Sequence, residues 1–147
     1  MTIVMTLNCH GLASNPKKLA FQRLIEEQEL DVLFLQETMS DGSILVSELE
    51  VMFKDWKFVS VDAKGKSRGL LLGWKHQQFH LLNARAVCSG LCVKLFSVEL
   101  KLDLCFINLY GPYGDRELFW NNLFKLDCLL CNNVIFGGDL NYSVGFF

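Results

Sequence analysis

Short apolar runs, separated by polar and glycine-bearing segments, set the pattern of this chain. Ile3 to Leu7 is apolar and rich in β-branched residues, which predicts a first strand ending at Asn8-Cys9-His10-Gly11-Leu12. Ser14-Asn15-Pro16 then supplies a helix start, a capping-type residue with proline close behind. From Lys17 onward, Leu19, Ala20, Phe21, Leu24 and Ile25 fit one helical face. Lys18, Gln22, Arg23, Glu26 and Glu27 take the other. Val32-Leu33-Phe34-Leu35 is apolar on both faces and predicts a central strand that runs out at Gln36-Glu37-Thr38. This strand–helix–strand order allows a parallel pairing of the first two strands.

A second amphipathic helix is predicted over Asp41 to Phe53, starting near Ser43, with Glu48 and Glu50 exposed. Strands follow at Trp56 to Val61, Gly69 to Trp74, Phe79 to Val87, Leu91 to Leu100 and Leu102 to Leu109. Ser89-Gly90 and Lys101-Leu102-Asp103 read as hairpin turns. Arg116 to Cys131 predicts one helix closed by Asn132-Asn133, and Val134 to Gly138 the last strand. No repeat, linker or composition shift divides the chain, so residues 1–147 are taken as one domain. Interleaved helices and strands at both ends, with an antiparallel meander between them, predict an α/β sandwich: sheets packed face to face, helices outside.

The composition fits such a core: 51% hydrophobic and 20% charged residues over 147 positions. The formal net charge of −2 gives no general electrostatic footprint for nucleic acid, although a nuclease needs only a local one. No apolar run is long enough for a membrane span. The N-terminus lacks the basic segment and cleavage pattern of a signal peptide, so an intracellular, non-secreted chain is expected. Its six cysteines are then reduced thiols.

Candidate chemistry collects where apolar strands run out. Asn8 ends the first, Glu37 the second, Asn108 and Tyr110 a middle one, and Asp139 with Asn141 the last. Side chains at i and i+2 of an extended chain share a face, which would turn both Asp139 and Asn141 into one cleft. Two carboxylates (Glu37, Asp139) and two amides (Asn8, Asn141) form a hard-oxygen set suited to Mg²⁺ or Mn²⁺. Such an ion polarises a phosphoryl group and stabilises a leaving oxygen. Tyr110 can donate to charge building on phosphorus, or balance it as phenolate.

These stretches resemble the motifs of the endonuclease/exonuclease/phosphatase superfamily. Leu7-Asn8-Cys9-His10-Gly11-Leu12 is similar to its first motif and Asp31-Val32-Leu33-Phe34-Leu35-Gln36-Glu37-Thr38 to its second. Asn108-Leu109-Tyr110-Gly111-Pro112 resembles the tyrosine motif, and Gly137-Gly138-Asp139-Leu140-Asn141 the GDxN motif. Within the superfamily, Arg68-Gly69-Leu70-Leu71-Leu72-Gly73-Trp74 and Tyr110-Gly111-Pro112-Tyr113 are most like the endonuclease domain of plant LINE-type (non-LTR) retrotransposons. The resemblance implies a DNase I-like four-layer α/β sandwich and metal-dependent hydrolysis of phosphodiester bonds in DNA. It implies that Glu37 binds Mg²⁺ or Mn²⁺ with Asn8 nearby, that Tyr110 contacts the scissile phosphate, that Asp139 orients or deprotonates the attacking water, and that Asn8 and Asn141 contact phosphate.

Two departures stand out. Some members of the superfamily carry an acid where this chain has His10. The family's domain also continues past GDxN to an aspartate–histidine motif, whereas Phe147 lies six residues after Asn141. His10, His76 and His80 all precede that strand. The expectation is a sandwich incomplete at its C-terminus, with little or no nuclease activity. A phosphomonoesterase, a phospholipid or inositol-phosphate hydrolase on the same scaffold, and a non-catalytic remnant are the alternatives. Cys128-Leu129-Leu130-Cys131, Cys88 and Cys92 are read as buried thiols before a zinc site. Lys64, Lys66 and Arg68 form a loop that is either solvated or set against DNA phosphates. Trp56, Trp74 and Trp120 are read as core, and Lys17-Lys18 as no more than a helix start.

Overall fold

The computed structural model describes residues 1–62 and 68–141. In chain order the elements are β1 (Val4–Asn8), α1 (Asn15–Glu27), β2 (Val32–Gln36), α2 (Gly42–Met52), β3 (Trp56–Val61) and β4 (Leu70–Lys75). They continue with β5 (Phe79–Val87), β6 (Gly90–Ser97), β7 (Leu102–Tyr110), α3 (Arg116–Phe124), a 3-10 turn (Asp127–Leu130) and β8 (Val134–Asp139). Two four-stranded sheets result, ordered β1-β2-β4-β3 and β5-β6-β7-β8. The parallel pairing of β1 with β2 is present. The antiparallel strands do not form a single meander: β3 and β4 close a hairpin in the first sheet, and β5 to β7 meander in the second.

Three apolar clusters lie between successive layers. Phe21, Ile25, Leu45 and Leu49 of the helices pack on Leu33, Leu35, Trp56 and Phe58. Val32, Phe34, Leu70, Leu72 and Trp74 of the first sheet face Phe79, Val93, Leu95 and Phe106 of the second. Ile107 and Leu109 pack outward on Phe119 and Leu123 of α3. The alternation of Leu33 and Leu35 against Val32 and Phe34 is the period-two pattern of a strand buried on both faces. Helices, sheet, sheet and helix make the mixed α/β sandwich that the pattern predicted.

Several local expectations are corrected. In α1 the buried positions are Lys18, Phe21 and Ile25, and Leu19 faces solvent. Lys18 is drawn inward because its ammonium pairs with Glu48 of α2 while its alkyl stem packs below. The helix predicted over Arg116 to Cys131 ends at Phe124. Leu126 takes an extended conformation, which lets Cys128 reach the third cluster and Asp127 pair with Arg85. Trp56 and Trp74 are core residues, whereas Trp120 is 37% exposed. The turn before β7 spans residues 98–101, so Leu102 and Asp103 belong to the strand.

No helix among the described residues is long and apolar enough to cross a membrane.

Candidate active site

Each sheet contributes one parallel strand pair, and both pairs end at the same edge of the sandwich. Asn8 at the end of β1 is in register with Gln36 of β2. Tyr110 at the end of β7 is in register with Asp139 of β8. Parallel neighbours deliver their C-terminal residues side by side, so the polar residues that terminate apolar strands gather at one place.

The first pair of turns is held by a backbone ladder that outlasts the strands. Cys9 N–H donates to the Gln36 carbonyl (3.0 Å), Gly11 N–H to that of Glu37 (2.6 Å) and Leu12 N–H to that of Thr38 (3.1 Å). Both His10 and Glu37 have left-handed backbone conformations, φ 45° and 55°. That conformation is uncommon for residues other than glycine, and such outliers concentrate at functional sites.

Glu37 sits at the centre, with its side chain only 3% exposed. Tyr110 Oη donates to its Oε1 at 2.7 Å. Its Oε2 lies 2.9 Å from His10 Nδ1 and 3.8 Å from Arg68 Nη1. The Tyr110 hydroxyl first, then Asn8 and His10, outweigh burial and hold the Glu37 carboxyl below its ordinary range. Tyr110 moves the other way: burial and the neighbouring Glu37 carboxylate push its phenol well above the ordinary value. At neutral pH it is a neutral hydroxyl donor, and the phenolate alternative raised from sequence is disfavoured.

Asp139 stands across the cleft. Its Oδ2 accepts from Asn8 Nδ2 at 2.9 Å and its Oδ1 from Asn141 N–H at 2.9 Å. Asn141 Nδ2 donates to the Gly111 carbonyl at 2.6 Å, and the Asn141 carbonyl accepts from Arg116 Nη2 at 3.0 Å. Asp139 and Asn141 both line a cleft of about 370 Å³, together with Thr6, Asn8 and Gln36. The reason is not the one given by strand periodicity. Strand β8 ends at Asp139, and Asn141 lies beyond it at φ 48°, folded back on the aspartate.

Asn108 is placed differently. Although it lies near a strand end, it is fully buried between the sheets. Its Nδ2 donates to the Leu35 and Leu71 carbonyls and its Oδ1 accepts from Gln36 Nε2. Gln36 also donates to Thr6 Oγ1 at 3.1 Å. Sequence reasoning missed this polar staple because an amide at a strand end looks the same whether it faces cleft or core. It also missed two cations at the rim. Lys17 Nζ donates to the His10 carbonyl at 2.7 Å, and Arg116 reaches Asn141. Lys64 and Lys66 of the predicted basic loop lie outside the described residues.

The site's donors fit a hard divalent ion. Glu37 is an ionised carboxylate with one oxygen turned away from Tyr110, and Asn8 lies beside it. Mg²⁺ commonly takes one or two carboxylates and leaves the remaining positions to water and phosphate. Among the described residues no three His, Cys, Asp or Glu side chains are arranged to hold a metal ion. Cys92, Cys105 and Cys128 are buried thiols in the third apolar cluster, with 3.3 Å between the Sγ atoms of Cys92 and Cys105. Cys88 is exposed, and all six cysteines are free.

A family model for the Endonuclease/Exonuclease/phosphatase family matches residues 5–146. Solved structures share the fold. ANGEL2, a 2′,3′-cyclic phosphatase, superposes with a TM-score of 0.77 at 18% identity over 97% of this chain and 53% of its own. D. rerio TDP2 complexed with single strand DNA product gives 0.71 at 15% identity, over 96% of this chain and 61% of its own. The Bacteroides thetaiotaomicron mannosyl-6-phosphatase Bt3783 gives 0.65 at 12%, over 96% and 66%. The chain thus spans roughly half to two thirds of the length of these structures. No curated protein is similar enough in sequence to be matched.

Proposed function

The chain belongs to the Endonuclease/Exonuclease/phosphatase family, and on that premise we propose that its site serves metal-dependent hydrolysis of phosphodiester bonds in DNA, in the manner of a LINE-type retrotransposon endonuclease. The observation that carries this is the pairing of an ionised, buried Glu37 with a separate Asp139, the two joined through the Asn8 amide. Two carboxylates kept apart in this way can take different roles.

Glu37 would hold Mg²⁺ or Mn²⁺, with Asn8 at its flank. When bound, the ion supplies Lewis-acid polarisation of the phosphoryl group. Asp139 is the acceptor for a proton of the attacking water, fixed in direction by the Asn8 amide and the Asn141 N–H. Tyr110 offers a neutral hydroxyl to the charge that builds on a non-bridging oxygen. Asn8 and Asn141 contribute amide contacts to the phosphate. Arg68, Lys17 and Arg116 each contact a site residue (Glu37, His10 and Asn141), which supports a polyanion over a small neutral substrate. A neighbouring fold solved with a DNA product is consistent with that choice. Phosphatases on the same fold keep a monoesterase as the second reading.

Plasmid nicking at protein excess tests the proposal, with Mg²⁺ or Mn²⁺ present or chelated. Against the sequence expectation of little or no nuclease activity, this reading predicts slow, metal-dependent conversion of supercoiled to open-circle DNA, lost in both Glu37→Ala and Asp139→Ala. Nicking that survives both substitutions overturns it, as does metal-independent nicking or no nicking. Faster cleavage of phosphomonoesters than of DNA would transfer the site to the second reading.

A further inference from the structure

The geometry points to His10 as a second protein ligand of the divalent metal, one that shifts the site's preference from Mg²⁺ toward Mn²⁺. This rests on the metal-dependent reading of Glu37 given above.

The argument begins with the backbone. The ladder from Cys9, Gly11 and Leu12 onto Gln36, Glu37 and Thr38 locks the two turns together. The His10 amide donates to Asn8 Oδ1 at 3.2 Å, and its carbonyl accepts from Lys17 Nζ. The residue is therefore fixed at both main-chain polar groups, in a left-handed conformation. That anchors the backbone from which the imidazole reaches the carboxylate. Nδ1 lies 2.9 Å from Glu37 Oε2 while the ring remains 74% exposed.

Glu37 Oε1 is occupied by Tyr110, so Oε2, which faces His10 and Arg68, is the oxygen left for an ion. Two donor atoms bound at right angles to one ion, each at about 2.1 Å, stand about 3 Å apart. The separation of Nδ1 and Oε2 is of that size. The hydrogen bond can thus give way to a shared ion with little movement of either side chain. In the hydrogen bond Nδ1 carries the proton and donates to the carboxylate; binding an ion there needs the other neutral tautomer, with the proton on Nε2 and the lone pair free at Nδ1.

The identity of the donor then sets the preference. Imidazole nitrogen suits first-row transition ions, whereas oxygen-only sets suit Mg²⁺ and Ca²⁺. A carboxylate at this position would keep the site hard; histidine softens it. Arg68 Nη1 stands 3.8 Å from the same Oε2, so an ion held there must displace the guanidinium, whose side chain is 56% exposed and free to swing outward.

The test is Mn²⁺ binding by the full chain, read from the EPR signal of the free ion, with pulsed EPR for nitrogen coupling in the bound state. Wild type, His10→Ala, His10→Asp and Glu37→Ala are compared, with Mg²⁺ as competitor. The expected result is a Glu37-dependent site with directly coupled nitrogen. His10→Ala should lose the coupling and about tenfold in Mn²⁺ affinity, with Mg²⁺ affinity nearly unchanged. His10→Asp should bind Mg²⁺ more tightly than wild type and show no nitrogen coupling. Circular dichroism of each variant guards against loss of fold, and the exposed ring makes that loss unexpected. Glu37-dependent Mn²⁺ binding without nitrogen coupling, or with undiminished affinity in His10→Ala, overturns the inference and leaves the metal reading intact. Binding that ignores Glu37 overturns both.

Discussion

Asn8 donates from Nδ2 to Asp139 Oδ2 across 2.9 Å, joining the last residue of the first strand to the last residue of the final one, 131 positions later. The bond crosses from one sheet to the other. It couples the side that holds Glu37 to the side that holds Asp139. Replacement by alanine frees one oxygen of Asp139 in a half-open cleft. We expect Asn8→Ala to lose about 1 kcal/mol in urea unfolding, the net worth of one hydrogen bond. Nicking should fall further, by about a hundredfold, because Asp139 loses its orientation. Asn8→Asp should be worse on both counts, since it sets a second carboxylate against Asp139. A variant that matches wild type in rate would remove Asn8 from the site.

Acid stability gives a second prediction. The folded-state pKa of Glu37 lies below its ordinary value, with the Tyr110 hydroxyl the largest cause. A depressed carboxyl contributes stability that is complete above its unfolded pKa, about 4.3. That stability is lost as pH falls through the folded value. Tyr110→Phe removes the main cause, so Glu37 should titrate at higher pH. The acid-unfolding midpoint, followed by tryptophan fluorescence, should move upward relative to wild type. Coincident midpoints would show that the Tyr110 hydroxyl does not set the ionisation of Glu37.

The buried staple between the sheets should carry stability and not chemistry. Asn108 satisfies Gln36 and the carbonyls of Leu35 and Leu71 where water has no access. Asn108→Leu leaves those groups without their partner in the core. A loss of about 3 kcal/mol is expected. Metal affinity, measured by Mn²⁺ titration below the new unfolding midpoint, should stay within about twofold of wild type. A selective loss of metal binding would instead place Asn108 in the site.

The strands were legible because burial on both faces of β2 and β4 leaves unbroken apolar runs, and the polar residues that stop those runs mark the site. What the pattern could not carry was direction. Asn8, Asn108 and Asn141 are the same residue type near strand ends, yet one bridges the cleft, one staples the core and one folds back on Asp139. Lys18 is buried through a partner thirty positions away, Glu48, and no local periodicity records such a contact. The helix written across Arg116 to Cys131 failed for the same reason. The pull of Cys128 into the third cluster and the pairing of Asp127 with Arg85 are tertiary, and they override local propensity.

The glycine before Asp139 offers the sharpest test of how the backbone sets this site. Gly138 has φ 143°, a conformation side chains rarely adopt, and a Cβ there would stand 2.0 Å from the Leu109 carbonyl oxygen. That oxygen belongs to the β7 strand running parallel to β8, so it cannot swing aside without breaking the ladder that brings Tyr110 level with Asp139. Gly138→Ala therefore forces β8 away from β7 and carries Asp139 out of reach of Asn8. We expect a loss of more than about 3 kcal/mol, or failure to fold. Gly114→Ala is the matched control, because a Cβ there meets nothing within 4 Å. It should change stability by less than about 0.5 kcal/mol. If unfolding curves show the two alanines to be equivalent, the close approach of β7 and β8 is not what places Asp139, and the cleft must be held by its side-chain bonds alone.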